Sequence, residues 1–286
     1  MCVDCSCEAG PRPASLRLGV LFMSCLDAHW LFGGDPHGGF GPINSIASLT
    51  QSPVTILLGD YGLKTKSLAE ALAPARSAGD VYWIPGNHDY ESDAVYDLTF
   101  GNKLAQHNLH GCVTTIGGVR VAGLGGHFQG RVWHPRNGKP REYTRAECLA
   151  TGGKGNVWRE GLPRKLRGAI WPEDVAALEG QAADVLVTHE APSCHSLGFA
   201  VIDDLARTMG AELIVHGHTH LSYRFDAADG DLTVLGVGLR GVTDGTGAAR
   251  VVGDIDEAKA EQLREASAAG RLLAGRFHVP ALGWVW

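Results

Sequence analysis

Five apolar runs in this chain each stop at a polar residue able to hold a metal, and that repeated ending narrows the possible folds more than any other feature. "HWLFGGD" stops at Asp35, with His37 two residues on, and "PVTILLGD" stops at Asp60. "DVYWIPGNHD" carries Asn87 and His88, "DVLVTHEAP" carries His189, and "ELIVHGHTH" carries His216, His218 and His220. Near-continuous apolar runs of this length mark strands buried on both faces, in sheets covered by helices. Helical stretches lie between them at 42–51, 67–78, 172–183 and "VIDDLARTMGA", and a helical tail spans 256–274. Pro74 predicts a break inside the second helix. Hairpins are predicted over 112–126, with Gly-Gly at the turn, and over 221–238. The alternation predicts an α/β fold, in which ligands gather outside the carboxyl ends of the strands. The five endings therefore converge on one place.

The residue types at those endings specify the chemistry. Carboxylates and an amide oxygen mixed with imidazoles suit first-row divalent ions such as Mn, Fe, Zn, Co or Ni. No cysteine stands among them, which disfavours a structural zinc site. Asp35, His37, Asp60, Asn87, His189, His218 and His220 are too many for one ion and fit two ions sharing a carboxylate. Two ions about 3.5–4 Å apart are the usual arrangement for hydrolysing phosphate esters, with a bridging hydroxide as nucleophile. His216 is read as a strand residue beside the site. His127, after the "GLGG" of the first hairpin, and Arg131 are read as substrate-binding residues against a bland loop role.

The blocks "GDPHGGF", "LLGDYG", "PGNHD", "VTHEAP" and "HGHTH" stand in the order D-x-H, G-D, G-N-H-D, lone His, G-H-x-H. Over roughly 29–238 this series resembles the calcineurin-like metallophosphoesterase superfamily. The resemblance implies a four-layer sandwich of two mixed β-sheets flanked by helices. It implies that Asp35, His37 and His220 hold one metal, that Asn87, His189 and His218 hold the other, and that Asp60 bridges. It gives His88 the role of the acid that contacts the phosphate or protonates the leaving oxygen. Asp27 and His29 offer a rival D-x-H, set aside because Asp35 and His37 follow the apolar run. One position departs from the family: Leu63 stands where an Asp usually orients the histidine of the G-N-H block. That predicts a loosely held His88 and a preference for esters with good leaving groups; the alternative is that another acid, Asp89, orients His88 instead. It also speaks against a Ser/Thr protein phosphatase.

The stretch 131–167 holds ten Lys or Arg (Arg131, Arg136, Lys139, Arg141, Arg145, Lys154, Arg159, Arg164, Lys165 and Arg167) against three acids, in a chain of net charge −6. Read as an irregular basic insertion at about 131–171, it is either a solvated surface loop or a rim whose Arg forks grip phosphate oxygens. The overall negative charge implies no general affinity for polyanions. Residues 1–27 are read as a tail, with the metallophosphoesterase domain at 28–286. The segment 16–28 has only a faint signal-peptide look, and Met23 is an alternative start. The seven cysteines, three of them at Cys2, Cys5 and Cys7, suit a reducing compartment and a cytoplasmic protein. No apolar run is long enough to span a membrane. The expected function is dimetal-dependent hydrolysis of phosphate mono- or diesters, on a small molecule or a nucleotide. A nuclease acting on DNA or RNA ends and a non-catalytic phosphate-binding module remain the alternatives.

Overall fold

The computed structural model describes residues 26–152, 157–280 and the strand at 284–285. The tail to residue 25 with Cys2, Cys5, Cys7 and Cys25, the alternative start at Met23, and Lys154 lie outside the described residues.

The strands are β1 (Trp30–Gly33), β2 (Val54–Leu57), β3 (Asp80–Trp83), β4 (Val113–Ile116), β5 (Val119–Leu124), β6 (Val185–Thr188) and β7 (Leu213–His216). They continue with β8 (Tyr223–Ala227), β9 (Thr233–Gly236), β10 (Val242–Asp244), β11 (Ala249–Val251), β12 (Gly275–Val279) and β13 (Trp284–Val285). The helices are α1 (Gly41–Thr50), α2 (Leu68–Ala71), α3 (Ala73–Ala78), α4 (Asp93–Phe100) and α5 (Arg145–Thr151). After them come α6 (Arg164–Arg167), α7 (Pro172–Glu179), α8 (Ala200–Met209) and α9 (Glu257–Ala268).

Local chemistry explains several of these boundaries. The Ser67 hydroxyl accepts the Glu70 N–H while the Glu70 carboxylate takes the Ser67 N–H, which starts α2. Pro74 cannot donate to a continuing helix, so the predicted 67–78 helix divides into α2 and α3 at Leu72. Gly117 and Gly118 both have positive φ (53° and 87°), the left-handed pair that a two-residue hairpin turn needs between β4 and β5.

Two mixed sheets result. One runs β11-β10-β1-β2-β3 and the other β13-β12-β8-β9-β7-β6-β5-β4. β1, β2 and β3 are parallel, as are β5, β6, β7 and β9. Strand periodicity assigns the layers. Trp30, Phe32 and Ile56 turn to an apolar cluster shared with Val121, Val187 and Val215 of the second sheet. Leu31 and Leu57 turn the other way, onto α1 and α3 through Ala47 and Ala75. On the far face of the second sheet, Leu186 and Ile214 pack with Leu178 of α7, Leu205 of α8 and Leu263 of α9. This is helix, sheet, sheet, helix: four layers. Burying each such side chain contributes about 1.5–3 kcal/mol against the entropy of ordering the chain.

Some elements were not foreseen. β10 and β11 are three residues each, and β12 alternates exposed Arg276 and His278 with buried Phe277 and Val279. Such strands carry too little apolar pattern to stand out from a tail. The stretch 131–171 is not irregular throughout. It contains α5 and α6 and has its own apolar cluster of Val132, Leu162, Leu166, Ala169 and Trp171.

Candidate metal centre

The parallel strands end at one cleft, and the chain beyond β1, β2, β3, β5, β6 and β7 carries a candidate residue there. The backbone there is unusual. Asp35, His37, Asp60, His218 and His220 all have positive φ, between 35° and 64°. Left-handed conformations cost a non-glycine residue of order 1–3 kcal/mol each and gather at functional sites. Two glycines let these loops approach. A Cβ on Gly59 would lie 2.5 Å from the Gly86 nitrogen, and one on Gly86 would lie 2.2 Å from Asp60 Oδ1.

Asp35, His37 and His220 form one cluster of ligand-capable atoms, all within 4.8 Å of one another, and Asp60, His189 and His218 form a second. Asp60 Oδ2 joins the two, 3.8 Å from His37 Nε2 and 3.4 Å from His189 Nε2. Asn87 Oδ1 lies 3.0 Å from His189 Nε2. His189 Nδ1–H donates to the Leu58 carbonyl at 2.7 Å, which turns Nε2 toward Asp60, Asn87 and His218.

Hydrogen bonds pin the supporting loops. Asp35 Oδ2 accepts the His218 N–H (2.8 Å), and Asp60 Oδ1 accepts the His88 N–H (2.8 Å). Buried His216 supports the same loop: its Nδ1–H donates to the Gly217 carbonyl at 2.8 Å, and its Nε2 lies 2.6 Å from the Tyr223 hydroxyl. Lys259 of α9 donates to the His218 carbonyl (3.1 Å).

The electrostatics are those of an uncompensated site. Burial pushes the Asp35 carboxyl up to about 7 and Asp89 up to about 6. Burial works against the charge on His189, but the Asp60 and Asp35 carboxylates outweigh it and raise the imidazole to about 10. Burial also opposes the charge on Asp60, yet His189 holds it well below the usual carboxylate range. Burial lowers His37, His218 and His220, the last to about 4, so these rings are neutral and keep lone pairs to offer. Asp35, Asp60, Asp89 and Glu190 are buried, and none has a Lys or Arg ion-pair partner among the described residues. Asp35 Oδ1 is buried with no hydrogen-bond partner at all. A buried, orphaned carboxylate oxygen beside neutral imidazoles fits a hard divalent cation.

Two residues missed in the sequence complete the picture. His88 Nδ1 contacts Glu91 Oε1, one turn further along the 3-10 helix His88–Tyr90. The alternative partner, Asp89, does something else: its carboxylate accepts the N–H groups of Asp60, Tyr61 and Gly86 at 2.7–3.0 Å, tying the Asp60 loop to the Gly86 loop. Leu63 is buried in the core, and the carboxylate that meets His88 Nδ1 is that of Glu91. The second is Glu190, whose Oε2 lies 3.8 Å from His218 Nε2, on the far side of the ring from His189. A spacing signal existed for Glu91, since i and i+3 meet on one face of a helical turn.

His127 is brought to the cleft. His189, His88 and Asp60 all act on its ring, burial lowers it to about 4, and its Nδ1 has no partner. Arg131 is exposed, with no contact to the cleft among the described residues. His29 and Asp27 sit at the start of β1, at the opposite end from the cleft.

The basic stretch departs furthest from expectation. Arg145 pairs with Glu173 and Asp174, Arg159 with Asp97, and Arg164 with Asp93. Arg136 donates to the Ser196 and Gly198 carbonyls, and Arg167 to Leu162 and Trp158. Arg164 also donates to the Tyr90 and Glu91 carbonyls (both 2.9 Å), next to His88. These five arginines are spent inside the protein, not held out for phosphate.

Two mixed sheets with acids and imidazoles at the carboxyl ends of their parallel strands define a metallophosphoesterase. A family model for calcineurin-like phosphoesterases matches residues 31–222, and the chain belongs to that family. An uncharacterized protein of Haemophilus influenzae is 37% identical over 217 residues, covering 76% of this chain and 94% of that protein. Among solved structures, TT1561 of Thermus thermophilus is similar with a TM-score of 0.50 and 17% identity, over 78% of this chain and 97% of that one. A dimetal phosphatase from Danio rerio matches with a TM-score of 0.44 and 12% identity, over 76% of this chain and 93% of that one. Among the described residues, no helix is long and apolar enough to cross a membrane.

Proposed function

We propose that the protein hydrolyses phosphate mono- or diesters at a two-metal centre. The observation that carries this is Asp60 Oδ2, set between His37 and His189 and so between two ligand clusters. Asp35, His37 and His220 would hold one ion, Asn87, His189 and His218 the other, with Asp60 shared. Divalent ions there (Mn, Fe, Zn, Co or Ni) would supply Lewis acidity to the phosphoryl oxygens and lower the pKa of water.

The chain's own groups do the rest. His88 serves the leaving oxygen. Its Nδ1 is engaged by Glu91, which leaves Nε2 for the substrate. Burial opposes the charge on His88, but Glu91 and Asp60 outweigh it and raise the imidazole, so it can carry a proton. With an acid partner in place, the expected restriction to good leaving groups gives way to activity on alkyl esters as well. His127, neutral, is placed to hydrogen-bond a phosphoryl oxygen. The nuclease reading loses its phosphate track, because five of the arginines it needed are engaged within the protein.

The test is metal content per chain measured alongside turnover on nitrophenyl and alkyl mono- and diesters. Two metals with hydrolysis is the expected result. Two metals with no hydrolysis of any ester would favour a phosphate-binding module, and hydrolysis with one metal would remove the bridging role of Asp60.

A further inference from the structure

Away from the metal cleft, a cavity of about 820 Å³ opens between the 193–199 loop, the start of α8, one face of α9 and Pro135–Arg136. Gln262, Glu265 and Ala266 supply the α9 wall at helical spacing. Lys259, one turn earlier on the same helix, is the residue that bonds the His218 carbonyl. The cavity is thus a neighbour of the metal loop, built from other residues.

Its polar wall consists largely of donors. Ala200 and Val201 line it at the first turn of α8, a ten-residue helix with no side-chain cap, so their N–H groups have no intrahelical partner. His195 lines it too and is 1% exposed. Its Nδ1 accepts the Leu197 N–H (3.1 Å), and burial lowers it to about 3. The ring is therefore neutral with its proton on Nε2, and that Nε2 is buried without a hydrogen-bond partner. Ser196 Oγ on the same wall is also buried and unpartnered. Arg271 adds a guanidinium against one carboxylate, Glu265, while the Arg136 guanidinium on the same wall is taken up by the Ser196 and Gly198 carbonyls. Asp203 lies in the first turn of α8, but its carboxylate accepts the Ser193 N–H at 2.8 Å and is not part of the wall.

We propose that this cavity is an anion site, separate from the metal centre, that takes a small organic phosphate. Open helix N–H groups and an arginine fork, that of Arg271, match phosphate oxygens. The volume far exceeds that of the bare ion, and Leu197, Phe199 and Leu272 offer apolar wall for an organic group. The assignment does not depend on hydrolysis at the metal centre.

The experiment is calorimetric titration of the full chain with phenylphosphonate, which cannot be hydrolysed as an ester. In Asp60→Asn protein, whose metal-centre binding is impaired, one binding event persists. Ala200→Pro removes one donor at a position where proline is favoured, and Phe199 is already extended (φ −133°, ψ 126°) as a residue before proline must be. Ala200→Pro and Arg271→Ser each weaken that event about tenfold or more, the value of a hydrogen bond to a charged group. Both keep wild-type turnover. The proposal is overturned if Asp60→Asn protein binds no phenylphosphonate, if neither substitution weakens the event, or if sulfate competes with equal affinity, which means an adventitious ion only.

Discussion

The metal cleft and the basic stretch 131–167 are both rich in charge, and the fold treats them in opposite ways. In the cleft, four buried acids have no lysine or arginine partner among the described residues, one carboxylate oxygen is orphaned, and five non-glycine residues have positive φ. In the basic stretch, Arg145, Arg159 and Arg164 meet carboxylates, Arg136 and Arg167 meet carbonyls, and Trp158 lies between Arg159 and Arg167 at 4.3 and 4.7 Å from its ring centroid. A high density of charge does not by itself mark a functional site. Charge left unsatisfied by its own protein does, because stability has been given up there for a ligand to restore.

The largest test of this contrast is Asp60→Asn. It should remove at least one metal per chain and cut turnover by roughly 10²–10⁴-fold or more, at least as far as loss of an acid catalyst does. Full activity with two metals bound would break the comparison at its centre. His88→Ala should then cost alkyl esters roughly 10²–10⁴-fold and nitrophenyl esters far less, since only the poor leaving group needs the proton. Equal losses on the two esters would show that His88 binds phosphate instead. Glu91→Gln should reproduce that asymmetry at roughly tenfold and add nothing in a His88→Ala background. An additive effect would mean that Glu91 does not act through His88.

Stability separates the two regions more gently. Asp35→Asn removes a buried charge, so metal-stripped protein should gain roughly 1–2 kcal/mol in denaturant unfolding while its metal affinity falls. Arg145→Ala should do the reverse, costing roughly 1–3 kcal/mol with or without metal, because Asp174 is left buried without its fork. A stabilising Arg145→Ala would erase the distinction. The smallest effect belongs to Arg131 and Lys165, whose replacement by Ala should raise KM no more than about twofold at low salt, with the difference vanishing at high salt. A tenfold rise would restore the phosphate-gripping rim.

Much of the cleft was legible in the linear chain. An apolar run, a glycine and a ligand-capable residue are adjacent in sequence, and a parallel strand must deliver its end to the same edge as its neighbours. That local logic located Asp35, His37, Asp60, Asn87, His189, His218 and His220, and Pro74 marked the helix break for a reason contained in its own ring. Partnership was not legible. Asp89 and Glu91 flank Tyr90 with the same charge, and only the course of the backbone turns one under the Asp60 loop and the other toward His88. The arginines of 131–167 read alike in sequence, yet their roles depend on Asp93 and Asp97 of α4, and on Glu173 and Asp174 of α7, being folded against them. Charge and strand ends are properties of single residues and short segments, so the sequence determined where polar groups gather. Which of those groups satisfy one another depends on directions and distances across distant segments, and only the tertiary structure decides that.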